Sequence, residues 1–272
     1  MQSTNPIFTR SEQFSHGAPQ YGQQQQYGQQ PYSAPQYGAP APYEAPGQPT
    51  PGVMTIDDVI TKTAITLGAL IVAAAITFMF LPPQFMMPAL IGSGIVGFVT
   101  VLLVGFRRQI NPGMVLVYAA LEGVFIGAFS LMFEILYPGI VVQAVIGTFI
   151  AAGATLAAYK FLRIKVTSQF RKIVTIATFA LAGTLLVNFV LALFGTNLGL
   201  RSFEFTPLAG IISAIAVVLA VANLIMDFDF VEQGIRNRLP ASESWRAAFG
   251  LTITMVWLYT EILRILSYFR SN

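Results

Sequence analysis

Stretches of about twenty apolar residues, joined by short connections, decide what this chain can fold into. They fall near 60–81, 86–106, 113–136, 139–159, 172–194, 206–229 and 246–268. In hydrocarbon every backbone N–H and C=O must be satisfied internally, and a helix does this within one segment. An all-α membrane protein with seven transmembrane helices is therefore predicted. The runs do not alternate apolar with polar residues, which excludes a transmembrane barrel. The chain is 55% hydrophobic and only 10% charged, against roughly a quarter charged in a soluble domain, so lipid must solvate most of its surface.

The boundaries carry local signals. Pro82-Pro83, Asn111-Pro112-Gly113, Pro138-Gly139 and Pro207 stand where a missing amide donor and a preset φ suit a turn or a first helical residue. Thr55-Ile56-Asp57-Asp58 reads as a helix start, with Thr55 as cap and the acids at the positive end of the dipole. Small residues four apart, Gly123 with Gly127 and Ser93 with Gly97, let helices approach closely and are read as packing motifs.

Residues 1–52 differ in kind. They are built from Gln, Tyr, Pro, Gly and Ala, and the pentapeptide APQYG occurs at 18–22 and again at 34–38. Such a composition cannot bury a core, so a disordered cytoplasmic tail is expected, with a mean reach of ~40 Å. It is either a solvated tether or a tyrosine-rich segment for docking a protein partner. It lacks a basic region followed by an apolar one, so the first hydrophobic helix must itself direct insertion.

Orientation follows from the basic residues. Arg10, Lys62, Arg107, Arg108, Lys160, Arg163, Lys165, Arg171, Lys172, Arg236, Arg238 and Arg246 fall on the tail's side, twelve of the fifteen. Arg201, Arg264 and Arg270 fall on the other. The positive-inside rule then puts the N-terminus in the cytoplasm and the C-terminus outside.

Several chemistries lack their residues. Cysteine is absent and the one histidine, His16, lies in the tail, so intramembrane zinc sites and serine–histidine dyads have no ligand or base. No lysine lies inside a late span for a retinal pump, and the aspartates available to an aspartyl protease, Asp227 and Asp229, share one helix. The chain is not expected to be an enzyme, to hold a cofactor or to bind nucleic acid.

What remains are ionisable residues inside the spans, where a charge costs from ~3 to ~10 kcal/mol and is therefore a candidate for function. Glu122 lies near mid-membrane in the third span and Glu134 near its outer end; Asp227 and Asp229 are at the inner end of the sixth, and Glu261 and Arg264 are in the seventh. Asn188 and Asn223 add neutral polar groups. Asn223 and Asp227 are four apart and share a helix face, whereas Asp229 points about 200° away from Asp227. Asp227 is thus expected to face the bundle and Asp229 the cytoplasmic interface. Arg107, ending the second span on the same side, is placed to pair with Asp227. Glu261 has two candidate partners. It is three residues from Arg264 in its own helix, or it meets Asp227, in which case the two acids share a proton and form a pH-operated latch. Glu122 either lines a cation path or bonds to Asn188 or Asn223.

The seven spans, Arg107-Arg108 before Gly113 and Tyr118, the Asp227-containing end of the sixth span and Leu258-Tyr259-Thr260-Glu261-Ile262-Leu263 resemble the Bax inhibitor-1 (transmembrane Bax-inhibitor-motif) family. Met54-Thr-Ile-Asp-Asp-Val, Leu121-Glu-Gly-Val and Asp227-Phe-Asp-Phe resemble a bacterial branch of it. The likeness covers roughly residues 53–270. It implies six helices around a central seventh and a pH-sensitive calcium leak across the bacterial inner membrane. It also implies a pH latch that falls on Asp227, Glu261 and Arg107, with calcium held transiently at Asp227 and Glu261. At 261 this chain has glutamate in place of the usual aspartate, and the 231–246 connection is longer.

Three functions are weighed. A proton-gated calcium leak draws on carboxylates as hard oxygen donors. A proton-coupled transporter would call for inverted repeats or paired broken helices, of which the sequence gives no obvious sign. A non-conducting regulator of other membrane proteins, such as a membrane protease, is the remaining class. The expected partners are the lipid bilayer, calcium and protons, and a protein for the tail.

Overall fold

The computed structural model describes residues 52–107, 109–196, 198–202 and 205–271. The tail expected to be disordered lies outside them, apart from its last residue. The elements are α1 (Ile56–Phe80), α2 (Met86–Gly105), α3 (Pro112–Leu136), α4 (Ile140–Phe161), α5 (Ser168–Leu193), α6 (Pro207–Arg236) and α7 (Glu243–Arg270). A single 3-10 turn, Pro83–Phe85, leads into α2. All seven α-helices are long and apolar enough to cross a membrane, as the sequence predicts. Helices α1, α5 and α7 begin three or four residues before the apolar runs and α6 ends seven residues later, because polar turns continue each helix beyond the hydrocarbon-length window.

The starts are set locally. The side chains of Thr55, Asn111, Thr167 and Thr206 accept from the backbone N–H of Asp58, Gly113, Phe170 and Ala209 respectively, satisfying donors that the first turn leaves open. Before α4, Gly139 adopts φ 83°, a left-handed conformation suited to glycine. The Glu134 carboxylate then takes the N–H groups of Gly139 (2.5 Å) and Val141 (3.2 Å).

Packing centres on α7, the most buried and least hydrophobic of the seven. Helices α1, α3, α4 and α6 lie directly on it, while α2 packs on α3 and α5 stands behind α6. The six surrounding helices are therefore unequal. The Gly123/Gly127 motif works as expected. A Cβ at Gly123 would lie 2.5 Å from the Leu70 carbonyl oxygen, and one at Gly127 2.5 Å from that of Ala74, so the α1 backbone runs against α3. The Ser93/Gly97 motif lies in the α2–α3 contact, also as expected; there a Cβ at Gly97 would stand 3.1 Å from Oε2 of Glu122, so this glycine makes room for a carboxylate.

The end of the bundle bearing Thr55 and the 106–111, 162–167 and 237–242 connections is called here the basic end, and the opposite one the far end. At the basic end a short strap closes over α6 and α7. Val53 forms an antiparallel bridge with Pro240; Met54 N–H donates to the Leu239 carbonyl (2.8 Å) and Ala241 N–H to that of Gly52 (2.6 Å). The Met54 sulfur fills a notch where a Cβ on Gly234 would come within 2.6 Å of it. Lys62 Nζ fastens the same corner, reaching Asp58 (2.6 Å) and the Ala241 carbonyl (2.8 Å) and lying 5.5 Å from the Trp245 ring centroid.

Candidate functional site

The acids identified from the sequence are distributed along the bundle, each with its own surroundings. Asp227 projects from α6 onto α7, where its Oδ2 accepts a hydrogen bond from Thr254 Oγ1 at 2.6 Å. Its Oδ1 lies over Gly250, whose added Cβ would be 3.4 Å away. Asp227 lines a cavity of about 320 Å³ at the basic end, together with Val104, Ile110, Arg246 and Phe249.

Glu261 lies elsewhere. It is 1% exposed, and its Oε1 is 2.6 Å from Nη1 of Arg201, in the connection between α5 and α6. The expected Asp227–Glu261 pair is not formed. Its absence follows from register: Asp227 meets α7 at Thr254, and the seven residues from there to Glu261 place the second acid ~10 Å further along the helix axis. The alternative, Glu261 with Arg264 in the same helix, is not the observed ion pair either. Arg264 instead donates through Nη1 to the Arg201 carbonyl (3.4 Å), and its guanidinium carbon is 5.8 Å from the Phe129 ring centroid. Tyr268 adds a bond to the Ser202 carbonyl (3.3 Å). Together these contacts fasten the 198–202 segment over the far end of α7. Glu261 Oε2 and Arg264 Nε are buried without a hydrogen-bond partner among the described residues.

Arg107 does not join Asp227. It is exposed at the end of α2, and among the described residues no ion pair includes it. Its carbonyl takes a contact from Arg246 Nη2 at 3.5 Å, and Arg246 in turn pairs with Glu243 at 2.7 Å.

The opposed directions of Asp227 and Asp229 are as the helical spacing requires, but Asp229 faces protein and not an open interface. It is 7% exposed, bonded to Arg171 of α5 (2.8 Å) and Gln233 (2.6 Å). Asn223 does not share Asp227's neighbours; its Nδ2 donates to Thr178 of α5 and to the Leu219 carbonyl, both at 2.8 Å. Asn188 is buried in α5, with no hydrogen-bond partner for its Oδ1 among the described residues. Glu122, half-buried in α3, directs Oε2 toward Gly97 of α2, and no hydrogen bond joins it to Asn188 or Asn223 among the described residues. Thus α5 is joined to α6 by a polar seam, Arg171–Asp229 and Thr178–Asn223, and Glu122 belongs to the α2–α3 contact.

Residues that sequence reasoning passed over complete the picture. Thr254 is the partner of Asp227, and Ser130 pairs with Tyr259 across α3 and α7 at 2.6 Å. Arg201 was placed only by its side of the membrane. A buried glutamate needs a counter-charge, and with so few far-side cations that requirement alone would have pointed to it.

No curated protein matches the chain closely enough to extend this description. The sequence pattern of the family described as Bax inhibitor 1 like matches residues 5–271, reaching further into the tail than the resemblance read from the motifs. Matched over nearly its whole length, this seven-helix membrane protein belongs to the Bax inhibitor-1-like family.

Proposed function

We propose that the protein is a passive cation leak of the bacterial inner membrane, with calcium foremost among its permeants, the N-terminus in the cytoplasm and the C-terminus outside. The observation that carries this reading is the Asp227 carboxylate, held by Thr254 at 2.6 Å on the wall of a cavity at the basic end of the central helix. A carboxylate with lone pairs still free is the hard donor that calcium prefers, and a charge kept in the membrane at such cost marks an ion path. In this reading Asp227 alone is the pH-responsive group. A proton on its carboxylate removes the charge that draws a cation in, and Arg246 at the same cavity sets how strongly cations are admitted. The Arg201–Glu261 pair closes the far end.

Purified protein in calcium-free vesicles containing a calcium-sensitive dye tests this. Calcium entry above that of empty vesicles is expected, falling as the medium is acidified from about pH 8 to 5. Asp227→Asn is expected to show low entry at every pH. Entry equal to that of empty vesicles throughout would discard the leak, and uphill accumulation driven by a proton gradient would make the protein a transporter.

One observation favours a second reading, a regulator of other membrane proteins. The strap at 52–54 ties the point where the tail joins directly to the α6–α7 connection, so a partner gripping residues 1–51 would pull on the two helices that share Asp227. Loss of a co-purified partner on deletion of the tail, with no calcium entry in vesicles, is the outcome that favours it.

A further inference from the structure

Between α1 and α4 the bundle stands open. These helices do not pack on each other although both pack on α7, and a crevice of about 290 Å³ runs between them. Gly127, Met255 and Val256 contribute to its floor; its rim includes Ile71, Val145 and Phe149, which are 49%, 40% and 52% exposed. The hydroxyls reaching it are committed to protein: Thr148 donates to the Ala144 carbonyl at 2.7 Å and Ser130 pairs with Tyr259 at 2.6 Å. A void walled in this way offers water no partner and takes apolar occupants. Both walls are membrane-spanning helices, so the medium at the rim is acyl chain. A cation stands where such a chain would end. At the far end, three residues from Val141 in the α4 wall, the exposed Arg270 donates through Nη1 to the Pro138 carbonyl at 2.6 Å. The nearby Glu134 carboxylate is occupied by the N–H groups of Gly139 and Val141.

We propose that this crevice holds one acyl chain of a phospholipid from the far leaflet, with the lipid phosphate resting on Arg270. The chain lies against Met255 and Val256 and so touches the central helix itself. Bilayer composition thereby gains direct access to α7, independently of whether the protein conducts ions.

The test uses full-length protein in phosphatidylglycerol vesicles doped with the same lipid carrying a diazirine in one acyl chain, with cross-links mapped by mass spectrometry. Floor residues Met255 and Val256 should be labelled more heavily than Val218, a position on α6 that is 67% exposed. Ala75→Phe, at an exposed position on the crevice wall, should abolish floor labelling and leave Val218 unchanged. Arg270→Gln should lower floor labelling about fivefold, the effect of one basic residue near an anionic surface. Floor labelling no heavier than at Val218, or unaffected by Ala75→Phe, overturns the site. Labelling blocked by Ala75→Phe but indifferent to Arg270→Gln overturns Arg270 as the seat of the lipid phosphate.

Discussion

Arg201 and Glu261 meet at 2.6 Å across the far end of the bundle, joining the connection between α5 and α6 to the central helix. Glu261 is almost wholly enclosed, 1% exposed, and among the described residues Arg201 is the cation in direct contact with its carboxylate. Removing one partner of a buried ion pair leaves the other unpaired and costs about 3–5 kcal/mol. Arg201→Ala should therefore lower the thermal unfolding midpoint in detergent by many degrees. Adding Glu261→Gln, which removes the stranded charge, should recover most of the loss. A double variant as unstable as the single one would mean that the arginine acts through something other than Glu261.

The α1–α3 contact yields a sharper steric prediction. A Cβ at Gly127 would lie 2.5 Å from the Ala74 carbonyl oxygen, a backbone atom that cannot swing aside, whereas a Cβ at Gly153 in α4 would meet no atom within 4 Å. Gly127→Ala should then destabilise by about 1–3 kcal/mol through overpacking. Gly153→Ala should be neutral or stabilise by up to about 1 kcal/mol through helix propensity. Thermal unfolding of the two variants side by side checks the opposite signs.

The strap makes its own prediction. Met54 is 1% exposed and packs into the notch over Gly234, so Met54→Ala empties a site that the neighbouring backbone cannot easily collapse to fill. The amides of Met54 and Ala241, which close the bridge to Leu239 and Gly52, should exchange slowly in the wild type and rapidly in the variant. The loss is about 2–5 kcal/mol for a methionine truncated in a core. Slow exchange at both amides in Met54→Ala would show that Lys62, bonded to the Ala241 carbonyl at 2.8 Å, suffices to hold the corner.

These residues also show what the sequence could and could not disclose. Helix number was legible, and so were the starts at Thr55, Asn111 and Pro207, because span length, caps and first-turn prolines are local properties; α5 and α7 begin four and three residues before their apolar runs. The small-residue spacing of Gly123 and Gly127 was legible for the same reason. Helix α6 was read two turns short because Glu232 and Arg236 resemble a polar exit; Tyr159 of α4 bonds Glu232 at 2.7 Å, a tertiary contact that no local window contains. Spacing correctly sent Asp227 and Asp229 in different directions. It could not supply the register between α6 and α7, and that register separates Asp227 from Glu261. Arg201 escaped notice because it sits in a connection, where a charge ordinarily signifies only solvent.

Burial should also distinguish the two guanidinium–carboxylate pairs that fasten α5 and its connection to the rest. Arg171 meets Asp229 at 2.8 Å and Arg201 meets Glu261 at 2.6 Å, but the arginine side chains are 52% and 19% exposed and the carboxylates 10% and 1%. At the first pair solvent reaches the cation, and Asp229 keeps a second donor, Gln233 at 2.6 Å. Arg171→Ala should then cost no more than about 1 kcal/mol, in the range of exposed ion pairs, and that cost should shrink as salt is raised. Arg201→Ala should be several times more damaging and nearly indifferent to salt, because neither water nor counter-ions reach Glu261. Measuring both variants at low and high ionic strength separates the cases; equal costs with equal salt dependence would mean that the far-end pair is open to solvent and does not close the bundle.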